Sequence, residues 1–213
     1  MKEPKNKNCI ECGNLFLQYN SLVKVCSTKC AIEHAKNKTK KQAEKDWSKE
    51  KKQIKESLLT KSDYEKLLQK EINTIVRLID KNSFCHSTKK PLNEKFDAGH
   101  FFSCGSNPSI RFNLFNIYAQ SVYANQYLSG DQINFLAVLS DVYGEKHKEY
   151  VLSLKTLYPL LKLSQEELKD KTKIARSIVK HLKLENKTYN TAERLELRKK
   201  FNAMIGIYKA DSL

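Results

Sequence analysis

The stretch Phe96-Asp97-Ala98-Gly99-His100-Phe101-Phe102 decides how the middle of this 213-residue chain is interpreted. Its histidine follows a short strand-like run and precedes a loop of small and polar residues, Cys104-Gly105-Ser106-Asn107-Pro108. A histidine in that position can face a cleft and act as a general base, because the pKa of imidazole lies near neutral pH. A lone histidine at a strand end is more often purely structural. The functional interpretation therefore depends on partner residues.

Two asparagines downstream of the histidine are the candidate partners. Asn116 and Asn125 follow His100 within 25 residues, and the order His, Asn, Asn resembles an HNH-type ββα-metal nuclease finger. Such a finger consists of two short strands, a connecting loop and a helix. We predict the strands at residues 84–85 and 95–102, the loop at 107–113, and the helix from 121 to about 128.

Four cysteines near the beginning of the chain have the spacing of a zinc site. Cys9-x2-Cys12 and Cys26-x3-Cys30 can each turn two sulfurs onto one tetrahedral ion, at about 2.3 Å. Because we see no export signal, we expect the thiols to stay reduced, which favours metal over disulfides. We predict a structural Zn²⁺ held by all four cysteines, which would supply much of the folding free energy of this small segment.

The next segment, residues 31–57, is strongly helix-forming, rich in lysine and without a continuous apolar stripe. A helix that is polar all round usually bridges solvent between domains. We therefore predict a basic linker helix between a zinc finger and a nuclease domain. Lys40, Lys41 and Lys45 are the predicted phosphate contacts, although any single lysine here could equally be a solvated one. Together they should make DNA binding strongly dependent on salt.

The chain as a whole carries a formal charge of +15, from 39 lysine and arginine residues against 24 acidic ones. This excess favours a polyanionic partner, and nucleic acid is the default; a basic protein with a merely solvated surface is the alternative. We find no run of eighteen or more apolar residues, and the first thirty residues are polar. We expect no membrane partner and no secretory signal, and therefore a cytoplasmic protein.

Taken in order, these motifs resemble the phage NinG/Rap recombination endonucleases. The resemblance covers roughly residues 8 to 150 and is carried by the cysteine pairs, the basic helix, Asp97-Ala98-Gly99-His100, Arg111-Phe112-Asn113, Asn116-Ile117 and Asn125-Gln126-x2-Ser129-Gly130. It implies metal-dependent cleavage of Holliday junctions and other branched DNA during phage recombination, in the cytoplasm of a host cell. Symmetric incision of a four-way junction favours a homodimer. Other recombination proteins are further candidate partners.

The resemblance also implies a role for each residue of the central segment. His100 would activate water for attack on a phosphodiester, and Asn116 would brace the loop that orients His100. Asp97 and Asn125 would bind Mg²⁺ or Mn²⁺ through oxygen atoms. Arg111 would contact a phosphate or bridge to a carboxylate such as Asp97. Asp97 and His100 lie three positions apart, so they share a site only if the strand bends or bulges, which the glycine before His100 permits.

The chain departs from the usual pattern of that family at one set of positions. NinG/Rap sequences typically carry a second set of four cysteines around the nuclease finger. Here Cys85 remains, and the matching positions hold Thr88, Ser121 and Ala124. We therefore expect no second structural zinc. Either apolar packing by the phenylalanines of this segment replaces it, or the nuclease has decayed.

The rest of the chain is predicted to be helical. Capping-box patterns mark the start of three amphipathic helices, at Ser62, Ser164 and Asn190. An apolar helix at residues 131–143 should end at Gly144, a plausible C-cap. His147 lies among lysines and is expected at the surface.

These observations predict an α+β protein that is mostly helical and is built from four segments. In order they are a four-cysteine zinc finger at 1–32, a basic linker helix at 33–60, an HNH-like nuclease domain at 61–145 and a C-terminal helical region at 146–213. The alternative to a nuclease is a catalytically inactive zinc-containing protein that binds branched or single-stranded DNA. An RNA-directed protein is less favoured, because the sequence has no RNP-like aromatic signature.

Overall fold

The computed structural model describes residues 5–208, which form two compact units divided between Leu59 and Thr60. The first unit contains the four N-terminal cysteines and the basic helix. The second contains the central segment together with all the helices that follow it. The predicted segment 61–145 and the described part of the segment 146–213, up to residue 208, therefore belong to one compact unit.

The first unit begins with a hairpin of β1 (Lys5–Asn8) and β2 (Leu15–Gln18), which pair antiparallel. Between the strands the chain turns tightly, with Gly13 at φ 74° and its N–H donating to the carbonyl of Cys9. Only glycine adopts this backbone conformation without steric cost. Gly13, which follows the first cysteine pair, thus allows the tight turn between β1 and β2, here called the knuckle.

The first unit continues into a single long helix, α1 (Thr28–Ser57). Ser27 caps it by accepting a hydrogen bond from the N–H of Cys30, so the helix begins within the second cysteine pair. The predicted zinc finger therefore runs into the predicted linker helix without a break, because α1 already contains Cys30. None of the residues of α1 is buried, and the helix contains ten lysines and five acidic residues. The structure confirms the prediction of a helix that is polar all round.

The second unit begins with a long helix, α2 (Lys61–Ile79). Its apolar face is fully buried, as the 3.6-residue periodicity predicts. The predicted capping box was placed two residues too late. Thr60 is the N-cap, accepting from the N–H of Asp63, while the Asp63 carboxylate accepts from the N–H of Thr60.

The centre of the second unit is a strand-loop-strand-helix arrangement. Its elements are β3 (Phe96–His100), β4 (Ile117–Ser121) and the short helix α3 (Val122–Gln126). Strands β3 and β4 pair antiparallel and pack against α2, and the loop between them contains two turns of 3-10 helix. The prediction that residues 84–85 form the partner strand was wrong: Phe84 makes only an isolated bridge to Pro91.

Four further helices complete the second unit: α4 (Gln132–Tyr143), α5 (Glu145–Leu157), α6 (Gln165–Glu185) and α7 (Thr191–Ile205). The predicted capping boxes at Ser164 and Asn190 are confirmed, and Gly144 ends α4 at φ 88°. Among residues 5–208, none of the helices combines the length and the apolar composition that a membrane span requires.

One hydrophobic core joins the central arrangement to the later helices. Phe101, Phe102 and Tyr118 pack against Phe135 of α4 and Leu154 of α5, among others. The prediction that His147 lies at the surface was wrong. The residue is 5% exposed, and its Nε2 lies 2.6 Å from the hydroxyl of Tyr118, because this face of α5 is turned towards the core.

Candidate functional site

The four N-terminal cysteines converge on one point. Their Sγ atoms all lie within 4.8 Å of one another, and Cys12 and Cys26 are separated by 3.5 Å. Four sulfurs around a tetrahedral zinc ion, each about 2.3 Å from it, are about 3.8 Å apart. This cysteine cluster could therefore hold a zinc ion. The hairpin positions Cys9 and Cys12, while the cap and first turn of α1 position Cys26 and Cys30.

The electrostatics of the cysteine cluster favour a bound cation. Backbone N–H groups, that of Cys12 first, lower the pKa of Cys9 to about 6. The sulfurs of Cys12 and then Cys30 raise the pKa of Cys26 to about 12. Four thiolates this close repel one another, and a divalent ion between them removes that repulsion.

A second set of contacts fixes the knuckle to α1. The Glu11 carboxylate lies 2.6 Å from Nδ1 of His34 and accepts a 3.0 Å hydrogen bond from the amide of Asn37. The hydrogen bond from His34, first, lowers the pKa of Glu11. Sequence reasoning missed this clamp. The only local signal is that His34 and Asn37 lie three residues apart and so share one face of the helix.

The lysines predicted to bind DNA, Lys40, Lys41 and Lys45, are all exposed on α1. Lys41 and Lys45 are one turn apart, so their side chains extend from the same face of the helix. Their ammonium groups are therefore accessible to a polyanion.

His100 is the last residue of β3, and its ring is largely enclosed. Its Nε2 lies 2.9 Å from the backbone carbonyl of Arg111. Because a carbonyl can only accept, this contact favours the proton on Nε2 and the lone pair on Nδ1, while the amide nitrogen of Gln69, itself a donor, lies 3.3 Å from the same Nε2. Burial, the largest effect, lowers the pKa of His100 from its usual value of 6.5. The lowered pKa favours the neutral ring that a general base needs, and the Arg111 contact favours the tautomer in which Nδ1 would act.

Asn116 lies under the loop that follows His100 and is fully buried. Its Oδ1 accepts a 2.8 Å hydrogen bond from the N–H of Phe102, and its Nδ2 donates to the carbonyl of Phe102 at 3.0 Å. A second contact, at 3.5 Å, reaches the carbonyl of Ile110. The Asn116 side chain thus connects the start of the loop, at Phe102, to its later part at Ile110.

The structure brings Asp97 and Asn125 together but leaves His100 apart from them. The amide of Asn125 donates to the Asp97 carboxylate at 3.0 Å, and Gln126 donates to the same oxygen at 3.1 Å. The β3–β4 register is unbroken through residues 96–100. The expected bend or bulge is therefore absent, and Asp97 and His100 point to opposite faces of the sheet.

Gly99 has a different role from the one expected. A Cβ atom at this position would lie 1.6 Å from Oε1 of Gln120 and 3.0 Å from Oδ1 of Asn125. The glycine therefore makes room for two amide side chains. Sequence reasoning missed Gln120, which is fully buried. Its Nε2 donates a 2.7 Å hydrogen bond to the carbonyl of Gly130, while its Oε1 has no hydrogen-bond partner within residues 5–208.

These groups fit a hard divalent cation by their chemistry. The carboxylate of Asp97 and the amide oxygens of Asn125 and Gln120 lie on the α3 side of the sheet, and oxygen ligands are those that Mg²⁺ and Mn²⁺ prefer. The buried Oε1 of Gln120 has no hydrogen-bond donor among the described residues, so it could accept from a water molecule or bind a cation.

Arg111 is held against α2. Its Nη1 lies 3.3 Å from the carboxylate of Glu65, and its Nε donates to Gln69 at 3.2 Å. The carboxylate that it contacts is therefore Glu65 and not Asp97. The side chain remains 22% exposed, at the edge of the segment that contains His100.

The positions of the missing second cysteine set are also neighbours in space. The N–H of Ser121 lies 3.3 Å from Sγ of Cys85, and the two side chains are 3.7 Å apart. The Ser121 hydroxyl in turn accepts from the N–H of Ala124 at 3.2 Å, capping α3. Hydrogen bonds thus connect the end of β4 to the segment before β3.

A buried ion pair fixes the segment that contains Asn116. Arg198 of α7 donates to Asp80 at 2.7 Å, and both side chains are fully buried. Arg198 also donates to the carbonyl of Leu114, while Asp80 accepts from the N–H of Ala119. Sequence reasoning missed this pair, because an arginine in a charged helix looks like a surface residue.

Together these features define a mostly helical protein with two small sheets and a four-cysteine cluster suited to zinc. The family model described as the bacteriophage lambda NinG protein matches residues 1–185, and the chain belongs to that family.

Similar curated proteins are the protein ninG of Escherichia phage lambda, 30% identical over 90 residues, and that of Salmonella phage P22, 30% identical over 88 residues. These alignments cover 42% and 41% of this chain and 44% and 43% of the relatives. The chain thus spans less than half the length of the curated relatives it matches. No solved structure matches it.

Proposed function

We propose that this protein is a metal-dependent endodeoxyribonuclease that cleaves Holliday junctions and other branched DNA during phage recombination. In this proposal the strand-loop-strand-helix arrangement is an HNH-like finger. The single observation that supports it most directly is the position of His100, which borders a cleft, lies with Nε2 2.9 Å from the Arg111 carbonyl and has its pKa lowered by burial.

His100 would accept a proton from the attacking water through Nδ1. Asn116 contributes by position, because its hydrogen bonds to Phe102 fix the backbone that follows His100. A base must keep its geometry to within a fraction of an ångström for efficient proton transfer. The buried asparagine meets that need without touching substrate.

Asp97 and Asn125 would hold Mg²⁺ or Mn²⁺, with Gln120 beside them. When bound, the cation would stabilise negative charge on the scissile phosphate and on the leaving oxygen. Because Asp97 and His100 lie on opposite faces of β3, the proposal requires that the scissile phosphate reach both the cation and the base.

The cysteine cluster and α1 would bind the DNA arms. The exposed lysines of α1, with Lys40, Lys41 and Lys45 among them, supply positive charge along a helix about 45 Å long, by its rise of about 1.5 Å per residue. Such contacts read the phosphate backbone and not the base sequence. Two symmetric incisions across a junction would require a homodimer.

The proposal is tested with a labelled four-way junction and a matched linear duplex, each incubated with Mg²⁺, Mn²⁺ or EDTA. We expect metal-dependent incision of the junction, which His100→Ala abolishes while junction binding stays nearly intact. His181→Ala is the matched control, because His181 is an exposed histidine of α6. Incision by the His100→Ala variant at the wild-type rate would refute the assignment of the base.

A catalytically inactive branched-DNA-binding protein is the second candidate. The observation that favours it is that two amide groups, of Asn125 and Gln126, already donate to one oxygen of the Asp97 carboxylate. Such a protein would bind the junction equally well in Mg²⁺ and in EDTA at fixed ionic strength. It would give no incision in either metal.

A further inference from the structure

A cleft of about 330 Å³ opens beside His100, and the roles proposed above assign no ligand to it. One wall is the loop that follows His100, and a second is the turn between α3 and α4. The third is the last part of α5, which contributes Lys155. This helix belongs to the part of the chain for which the sequence offered no function.

The lining of this cleft is suited to an anion. Among the residues that border it there is no aspartate or glutamate, and Lys155 is the lysine or arginine present. Hydroxyl and amide groups make up the polar remainder, from Ser103, Ser106, Asn107, Ser129 and Gln132. Groups of this kind donate hydrogen bonds to phosphate oxygens in protein–DNA complexes.

Lys155 is exposed and borders the cleft next to Phe102. Its Nζ lies 4.0 Å from the centroid of the Phe102 ring, a cation–π arrangement. The backbone beneath is fixed on both sides, since Asn116 binds Phe102 and Gln132 donates 2.9 Å to the carbonyl of Phe101. The adjacent Leu154 is fully buried in the core, which anchors this turn of α5. The ammonium group and His100 therefore border the same cleft.

We propose that this cleft binds one nucleotide unit of the DNA strand next to the scissile phosphate, with Lys155 contacting its phosphate. This assignment rests on the proposed nuclease function. The volume lies at the small end of the range for ligand sites, about 300–1,000 Å³, which suits a single nucleotide and not a duplex. The cleft is thus a DNA subsite, and the C-terminal half of the second unit takes part in substrate binding.

The test measures junction binding in EDTA at several salt concentrations, so that no incision intervenes. We expect Lys155→Gln to weaken binding about three- to tenfold and to reduce the slope of log Kd against log salt by about one. Lys146→Gln is the matched control, because Lys146 is an exposed lysine of the same helix that does not border the cleft. It should leave both quantities unchanged.

A second variant tests occupancy of the cleft without a change of charge. Ser106 is exposed at the rim, so Ser106→Phe should fill the space without disturbing the core. We expect weaker binding with an unchanged salt slope. Wild-type affinity for both Lys155→Gln and Ser106→Phe would overturn the subsite, whether or not the protein cuts DNA. Conversely, absence of incision by the wild-type protein alongside weaker binding by both variants would refute the nuclease and retain a DNA-binding cleft.

Discussion

Replacement of Arg198 by methionine is expected to destabilise the second unit by about 3–5 kcal/mol. Arg198 and Asp80 are both fully buried and their charged groups are 2.7 Å apart. Removal of the guanidinium leaves the Asp80 carboxylate without its charge partner, in a site where water cannot replace it. The N–H of Ala119 remains as a hydrogen-bond donor, but it carries no net charge.

The double variant Asp80→Asn/Arg198→Met isolates the cause. Asparagine keeps an oxygen for the Ala119 N–H and removes the buried charge, so we expect the double variant to be about 2 kcal/mol more stable than Arg198→Met alone. Near-UV circular dichroism of tyrosine is the appropriate signal, because nine of the ten tyrosines follow residue 59. The single variant should melt about 6–20 °C below the wild-type protein.

Lys200→Met provides the matched control, since Lys200 is an exposed residue of the same helix. Its stability should remain within about 0.5 kcal/mol of the wild-type value. A loss of less than about 1 kcal/mol in the free energy of unfolding of Arg198→Met would contradict this prediction. A double variant that is less stable than Arg198→Met would also contradict it, because the destabilisation would then not come from an unpaired buried charge.

Three further predictions concern pH, metal and packing. Burial lowers the pKa of His86 and of His147 from 6.5 to about 4, so the unfolded chain binds more protons as the pH falls below 6.5, and stability at pH 4 should drop by about 3 kcal/mol for each ring. Urea unfolding at pH 7 and pH 4 measures this loss. Chelation of zinc from the cysteine cluster should unfold the first unit and leave the tyrosine-monitored melting of the second unchanged. Gly99→Ala should cost about 1–3 kcal/mol, because its Cβ would collide with Oε1 of Gln120, whereas Gly105→Ala meets nothing within 4 Å and should be neutral.

Each of these three measurements has an outcome that contradicts it. A stability that is flat between pH 7 and pH 4 would mean that the two histidines are solvated. Metal analysis that finds no zinc in the purified protein would remove the basis of the second prediction. Equal stabilities of the Gly99→Ala and Gly105→Ala variants would show that Gln120 moves aside at no cost.

Features encoded over a few residues were predictable from the sequence. The spacing of Cys9, Cys12, Cys26 and Cys30 indicated one four-sulfur cluster, and the structure brings these sulfurs within 4.8 Å. The polar character of α1 and the capping boxes of α6 and α7 were also predicted correctly. In each case the interacting groups lie within a helical turn or a short loop, so local stereochemistry determines the result.

The choice of strand partner required the tertiary structure. An apolar pair at residues 84–85 and the segment Ile117–Ser121 were both able to pair with β3, because strand propensity depends on burial and neighbours more than on local sequence. The loop braced by Asn116 brings the later segment alongside. The register of that pairing then determines which side chains of β3 lie on each face of the sheet, and it places Asp97 and His100 on opposite faces.

The sequence by itself determined the cysteine cluster and the basic helix, while the role of His100 as a base stays a prediction. Only the tertiary structure decided the environment of Arg198, which meets Asp80 across 118 residues of chain, and the location of Lys155 on the same cleft as His100. The physical reason is that the core forms by non-directional burial of apolar surface. Which polar groups it encloses or brings together depends on how distant segments pack, and no local pattern records that.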